Sequence, residues 1–163
     1  MADAVQFKIH GVDALADRLE GIASDMKRKS GRFALRKAAN VVRDKAKANA
    51  KRLDDPTSAP DISENIAVRW SGRHFKQTGE LKFKVGVMGG AGGRAKSEAL
   101  SGLPGGDTRH WRHLEFGTEH MAAQPFMRTA LSASIQEATD EFVRQYNKSL
   151  DRALKRAAKK AAP

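Results

Sequence analysis

The chain has 163 residues, 40% of them hydrophobic but only 6% aromatic, which fits one domain whose core is built mainly from Ala, Leu, Val and Ile. It has no cysteine, so a disulfide framework and thiolate metal sites are excluded, and no apolar run approaches the roughly 20 residues of a bilayer span. Residues Met1 to Gln6 lack both the basic and the apolar region of a signal peptide. The expectation is a protein of the cytosol with no membrane partner.

Charge is the strongest compositional feature: 30 Lys and Arg against 19 Asp and Glu, net +11. The excess is concentrated. Residues 27–52 hold eleven basic side chains and one acidic, Asp44, and residues 144–160 hold seven basic and one acidic, Asp151. Such a balance points to nucleic acid, an acidic protein surface or an anionic membrane as neighbour.

Val5, Phe7 and Ile9 alternate with polar residues, the pattern of a half-buried strand. After Gly11, the spacing of Val12, Leu15, Leu19, Ile22 and Met26 predicts a short amphipathic helix. A second helix is predicted from about Ser30–Arg32 to Leu53, with the stripe Leu35, Ala38/Ala39, Val42, Ala46, Ala50 and Leu53. Pro56 ends it. Arg36, Arg43 and Lys47 share a polar face of this helix, taken to lie opposite the stripe, and form a basic ridge that is the candidate contact surface.

Ile66, Val68 and Trp70 read as a strand, Ser71-Gly72-Arg73 as a turn, and Leu81, Phe83, Val85 and Val87 as the clearest strand of the chain. The two strands are expected to pair as an antiparallel hairpin with an extended tip. Residues 86–108 carry eight of the fourteen glycines, and a mobile exposed loop is expected at 89–106. Trp111, Leu114 and Phe116 mark a short buried element. Pro125 is placed at the first position of a last helix, with the stripe Met127, Leu131, Ile135, Ala138, Phe142, Tyr146, Leu150 and Leu154 and a basic tail that frays from about residue 155 to 163.

Three constellations could carry chemistry. Gly89 to Ser97 follows a strand and ends in Lys-Ser, but a phosphate-binding loop needs Gly directly before Lys and a helix directly after it. Here Ala95 precedes Lys96, and Gly102 and Pro104 interrupt any helix soon after. His110, His113 and His120 lie near Glu115 and Glu119, which offers metal ligands without a firm third spacing; the alternative is that these groups bond the turn around Gly117 or sit on an interface. No nucleophile with a recognisable base is present, so no enzyme is expected, and no catalytic, metal or cofactor-binding residue is assigned. The basic segments suit salt-sensitive, sequence-independent phosphate binding or, alternatively, are the solvated faces of amphipathic helices.

Taken in order, several segments resemble the neck or tail-completion proteins of long-tailed bacteriophages and prophages. Gly11-Val12-Asp13-Ala14-Leu15 is similar to that family's strand-to-helix start, and Leu35 to Ala46 to its Ala-rich helix. His113-Leu114-Glu115-Phe116-Gly117-Thr118, followed by Pro125-Phe126-Met127-Arg128-Thr129-Ala130-Leu131, resembles its signature. The resemblance spans roughly residues 5–150, while the Gly-rich stretch and the basic tail depart from it. Gly117 would supply backbone freedom at a turn, Glu115 would accept N–H bonds from that turn or pair with a basic side chain, and Phe116 and Phe126 would pack together. Thr118 and Pro125 complete the candidate structural signature.

The expected fold is one α+β domain over 1–163, an antiparallel sheet of three or four strands packed on the long Ala-rich helix and the longer C-terminal helix. The resemblance implies a structural virion protein at the head–tail junction, made in the host cytoplasm. It would be a subunit of a homo-oligomeric ring, monomeric in isolation, whose partners are the connector or head-closure protein and the tail terminator or tail tube. Packaged DNA would pass nearby. A non-specific DNA-binding protein is the alternative, and a nuclease using the His/Glu cluster a third reading.

Overall fold

A computed structural model describes residues 24–53, 60–89 and 97–161. The strand expected at Val5–Ile9, and the helix expected from Val12 up to Ile22, lie outside the described residues.

Helix α1 spans Ser24–Lys51, strand β1 Ile66–Trp70, helix α2 Gly72–Thr78 and strand β2 Phe83–Val87. Three more helices follow: α3 Ser97–Ser101, α4 Trp111–Phe116 and α5 Met127–Ala161. At 28 and 35 residues, α1 and α5 run for about 42 and 52 Å at 1.5 Å per residue. They pack antiparallel: Asn49 of α1 meets Phe126 and Thr129 at the start of α5, while Ser30 meets Ser149 far along it.

The helix pair is lined by small side chains. Ala34, Ala38, Ala46 and Ala50 of α1 are buried, as are Ala130, Ser134 and Ala138 of α5. Alanine is the strongest helix former and its single methyl lets two backbones approach closely, so the same residues that favour the helices set their spacing. Bulk is supplied at two places. Ile62, Ile66 and Phe126 join Ala46, Ala50 and Ala130 in one cluster, and Tyr146 and Leu150 pack on Ala34 in a second.

The sheet corrects the sequence expectation. Among the described residues it has two strands, not three or four, and the architecture is a helix pair carrying a hairpin rather than an α+β sheet with helices laid on it. Pairing is antiparallel as expected, from Ile66 opposite Val87 to Trp70 opposite Phe83. Alternation detects strands one at a time and is silent about how many neighbours each finds, which is why the count went astray. The tip is helical: Gly79 closes α2 in the left-handed conformation, φ 75°, and donates its N–H to the Phe75 carbonyl. Trp70 packs on Phe75 and Phe83 and carries the Arg32 guanidinium 4.5 Å above its ring.

Other boundaries shift too. Helix α1 starts at Ser24, so Met26 belongs to it and not to a preceding helix. Helix α5 starts at Met127, two residues after Pro125, and continues to Ala161, through most of the stretch expected to fray. Within the Gly-rich stretch, residues 90–96 lie outside the described residues, but Ser97–Ser101 forms one helical turn whose Leu100 is buried.

Candidate assembly surface and the clasp behind it

Helix α4 ends at Gly117, whose φ of 76° and ψ of 179° suit glycine alone; a Cβ there would also meet the Met121 oxygen and Ala123 nitrogen at 2.9 Å. The chain then doubles back. Thr118 and Met121 exchange backbone bonds of 2.9 and 3.4 Å, and the Gln124 N–H reaches the Leu114 carbonyl at 2.7 Å. This return places the start of α5 against the side chain of Glu115.

Glu115, 1% exposed, serves as the cap of a helix to which it does not belong. One carboxylate oxygen, Oε2, accepts the N–H groups of Phe126 at 2.8 Å and Met127 at 2.9 Å. The other accepts the Arg128 N–H at 3.0 Å and the Arg128 Nε–H at 3.1 Å, while Arg128 Nη2 donates to the Glu115 carbonyl at 2.7 Å. A helix N-terminus has unpaired N–H groups and a partial positive charge, so a buried carboxylate satisfies both demands. Phe126, 1% exposed, is pinned beside it in the first core cluster. Phe116 does not join it. Its ring is 58% exposed and lies under the Arg128 guanidinium at 5.2 Å, because Glu115, not Phe116, takes the inward position on α4. Thr118 is exposed and Pro125 half-buried.

Sequence reasoning missed a second staple. Asn65 is fully buried. Its side-chain amide donates to the Gly106 carbonyl at 2.9 Å and to Thr108 Oγ1 at 2.8 Å, and its side-chain oxygen accepts the Gly105 N–H at 2.9 Å. The segment leading into α4 is thus bonded to the start of β1; within the stretch 89–106 expected to be exposed, Leu100 and Gly105 are buried, and Thr108 just beyond it is buried too. A lone Asn before a strand has no periodic signature. Nearby Asp61 is disfavoured as an anion by burial, yet bonds from Ser63 and Glu64 and the charge of Lys51 bring its pKa below the usual carboxylate value.

The basic ridge is only partly a row of open cations. Arg36 is exposed, whereas Arg43 pairs with its neighbour Asp44 at 2.7 Å and Lys47 approaches Glu64 at 3.9 Å. Each ridge residue follows a stripe residue, Leu35, Val42 or Ala46, and successive residues on a helix are about 100° apart. The ridge therefore flanks the stripe instead of opposing it.

The part of that stripe from Leu35 to Val42 is not closed over. Between the two core clusters lies an open apolar groove of about 730 Å³. Leu35 and Val42 of α1, Leu131, Ile135 and Phe142 of α5, and Phe83 of β2 line it. Leu131 is 50% exposed. The charged residues in its lining are Lys82 and Arg128.

The His/Glu cluster does not assemble. His110, His113 and His120 are exposed, Glu115 is held in the clasp, and among the described residues no three His, Cys, Asp or Glu side chains converge as a metal site. No described helix is long and apolar enough to cross a membrane.

A family model described as "Bacteriophage HK97-gp10, putative tail-component" matches residues 13–117. The match takes in α1, the hairpin and the Glu115-Phe116-Gly117 turn, and it stops before Pro125; the second half of the signature is joined to it here through the Glu115 carboxylate. No curated protein and no solved structure matches the chain. With well over half of its length matched, the chain belongs to the HK97-gp10-like family of bacteriophage tail components.

Proposed function

We propose that this tail component acts at the head–tail junction, as a neck or tail-completion subunit repeated in a ring that joins the DNA-filled head to the tail. The role is structural and non-enzymatic, carried out in the virion after assembly in the host cytoplasm. The observation that carries it is the clasp. A buried carboxylate takes three backbone N–H groups of α5, so the turn after α4 and the long helix move as one body. A ring built on head-to-tail contacts needs subunits whose two contact faces keep a fixed relative orientation, because a small error per subunit prevents closure. The connector or head-closure protein on one side and the tail terminator or tail tube on the other are its neighbours in this reading.

The ridge of Arg36, Arg43 and Lys47 is the surface assigned to those contacts or to packaged DNA. Replacing all three by Glu changes the charge by six units at positions outside the buried core, so the fold should survive. Phage lacking the gene should not be rescued by the triple variant, and unjoined heads and tails, or particles that fail to deliver DNA, should accumulate. Normal rescue would remove this surface from the function. Intact particles with only DNA binding in vitro lost would favour the alternative, a non-specific DNA-binding protein, whose basis is the eleven basic residues along 27–52.

A further inference from the structure

We infer that the cleft where the first turns of α1 meet the last turns of α5 binds a phosphate of a duplex DNA backbone, with Lys29, Arg152 and Arg156 as its cations and Ser30 as a hydroxyl donor. The inference rests on a different surface from the ridge and stands apart from the head–tail reading, which is judged by particle assembly.

Antiparallel pairing builds the site. The Tyr146 O–H reaches the Lys27 carbonyl at 3.0 Å and Ser149 bonds Ser30 at 3.0 Å, each pair 119 positions apart in the chain. The two basic stretches of the sequence are thereby laid side by side. Residues 24–32 and 148–160 together hold ten basic residues against two acidic, Asp25 and Asp151, a net charge of +8.

Helix stability does not account for this placement. Cations near the end of α5 suit its dipole, and Asp25 suits the start of α1. Lys27, Arg28 and Lys29 follow close behind that start, where positive charge is unfavourable. Arg152 and Arg156 also repel one another at i, i+4.

Between the two helices lies a cleft of about 240 Å³. The charged residues of its lining are Lys29, Arg152 and Arg156, all exposed and, among the described residues, in no ion pair. Ser30, 3% exposed, and Ser149 line it as well. The two hydroxyls share one hydrogen bond, which uses one of their two protons; the other proton has no acceptor among the described residues. A buried O–H without an acceptor is costly, and an anionic oxygen in the cleft removes that cost.

A DNA backbone fits this surface better than an acidic protein does. Protein interfaces are depleted of lysine, whereas Lys27, Lys29, Lys148, Lys155 and Lys159 crowd this end of the helix pair. The aromatic residue at the cleft, Phe33, carries the Lys37 ammonium 5.8 Å over its ring, so it offers no open platform for an unpaired base. What is left is contact with phosphate, independent of sequence.

Fluorescence anisotropy tests this with full-length chain and a labelled duplex of arbitrary sequence, at salt from about 50 to 200 mM. Replacing Lys29, Arg152 and Arg156 together by Gln should weaken binding about 10–100-fold at about 100 mM salt and reduce the salt slope by about 2–3. Arg73→Gln, Lys76→Gln and Lys84→Gln together remove as much charge from the exposed face of the hairpin and should change affinity by less than about threefold. Both variants should keep the wild-type circular dichroism. A second readout needs no loss of charge. In an Ala153→Cys chain, which has no competing thiol, saturating duplex should slow maleimide labelling about tenfold, since a bound site admits reagent only while it is vacant; a Lys76→Cys chain should label at an unchanged rate. Equal weakening by the two triple variants would mean diffuse charge and overturn the inference, as would labelling of Ala153→Cys indifferent to duplex. Tighter binding of poly-glutamate than of duplex would assign the cleft to an acidic protein, and a strong preference for single strands would assign Phe33 to base stacking; either result overturns it too.

Discussion

Replacing Glu115 by Ala removes the acceptor of three backbone N–H groups at the start of α5. Two of them, on Met127 and Arg128, then face a region water can enter, and their loss resembles that of an N-cap, about 1 kcal/mol. The third belongs to Phe126, 1% exposed. An N–H left buried without a partner costs about 1–3 kcal/mol. The Arg128 side chain, 59% exposed, adds little because water solvates it when the carboxylate is gone. The total is about 3 kcal/mol, which for a chain of this size lowers Tm by roughly 6–12 °C. Glu115→Gln keeps one acceptor oxygen and should cost about half as much, and Arg128→Gln should cost under about 1 kcal/mol. Urea titrations followed by circular dichroism at 222 nm, with slope m unchanged, would measure all three. A loss below about 1 kcal/mol for Glu115→Ala would mean that water takes over every donor, and the clasp would then not account for the rigidity assigned to it.

Phe126→Ala empties the centre of the first core cluster and should cost about 3–5 kcal/mol in the same titrations. Asn65→Ala strips three side-chain bonds from 105–108 and should cost about 2–4 kcal/mol, with faster tryptic cleavage at Arg109; unchanged cleavage would show that the segment is held by other contacts. Tyr146 donates its O–H to the Lys27 carbonyl at 3.0 Å, and burial raises its pKa. Tyr146→Phe should therefore cost about 1 kcal/mol at neutral pH. A raised phenol pKa gives stability that is full below the unfolded value and declines above it, so the gap between wild type and Tyr146→Phe should narrow as pH rises past about 10. A gap that stays constant to pH 11 would contradict that account.

Local pattern was legible in the sequence where burial alternates or recurs along one element. The period of Ile66–Trp70 and Phe83–Val87 located both strands, which pair antiparallel as expected, and Tyr146 and Leu150 lie in the core as their stripe implies, while Phe126, one position before that stripe, is buried as well. What a single stripe cannot report is the distance to the surface opposite. Leu35, Val42, Leu131 and Ile135 have the spacing of core residues but line an open groove, whereas Ala130 and Ser134, one position round the helix, are fully buried in the seam. Phe116 was expected inside on hydrophobicity and lies outside, because its neighbour Glu115 is drawn in by unpaired N–H groups eleven residues downstream. Hydrogen-bond demand of that kind, like that met by Asn65, is set by tertiary geometry and leaves no trace in hydropathy. The Gly117 turn was readable for the opposite reason, since its backbone conformation excludes nearly every other residue.

The antiparallel pairing of α1 with α5 has a kinetic side. Its contacts join residues as far apart as Ser30 and Ser149, 119 positions along the chain, and Asn49 and Phe126, 77 positions apart. The β1–β2 hairpin and the Glu115 clasp close over far shorter stretches. Loop closure costs more as the loop lengthens, so local units form first and the long-range helix contacts come late. During synthesis the alanine face of α1 therefore waits uncovered until α5 has emerged, and substitutions in that seam should speed unfolding far more than they slow folding.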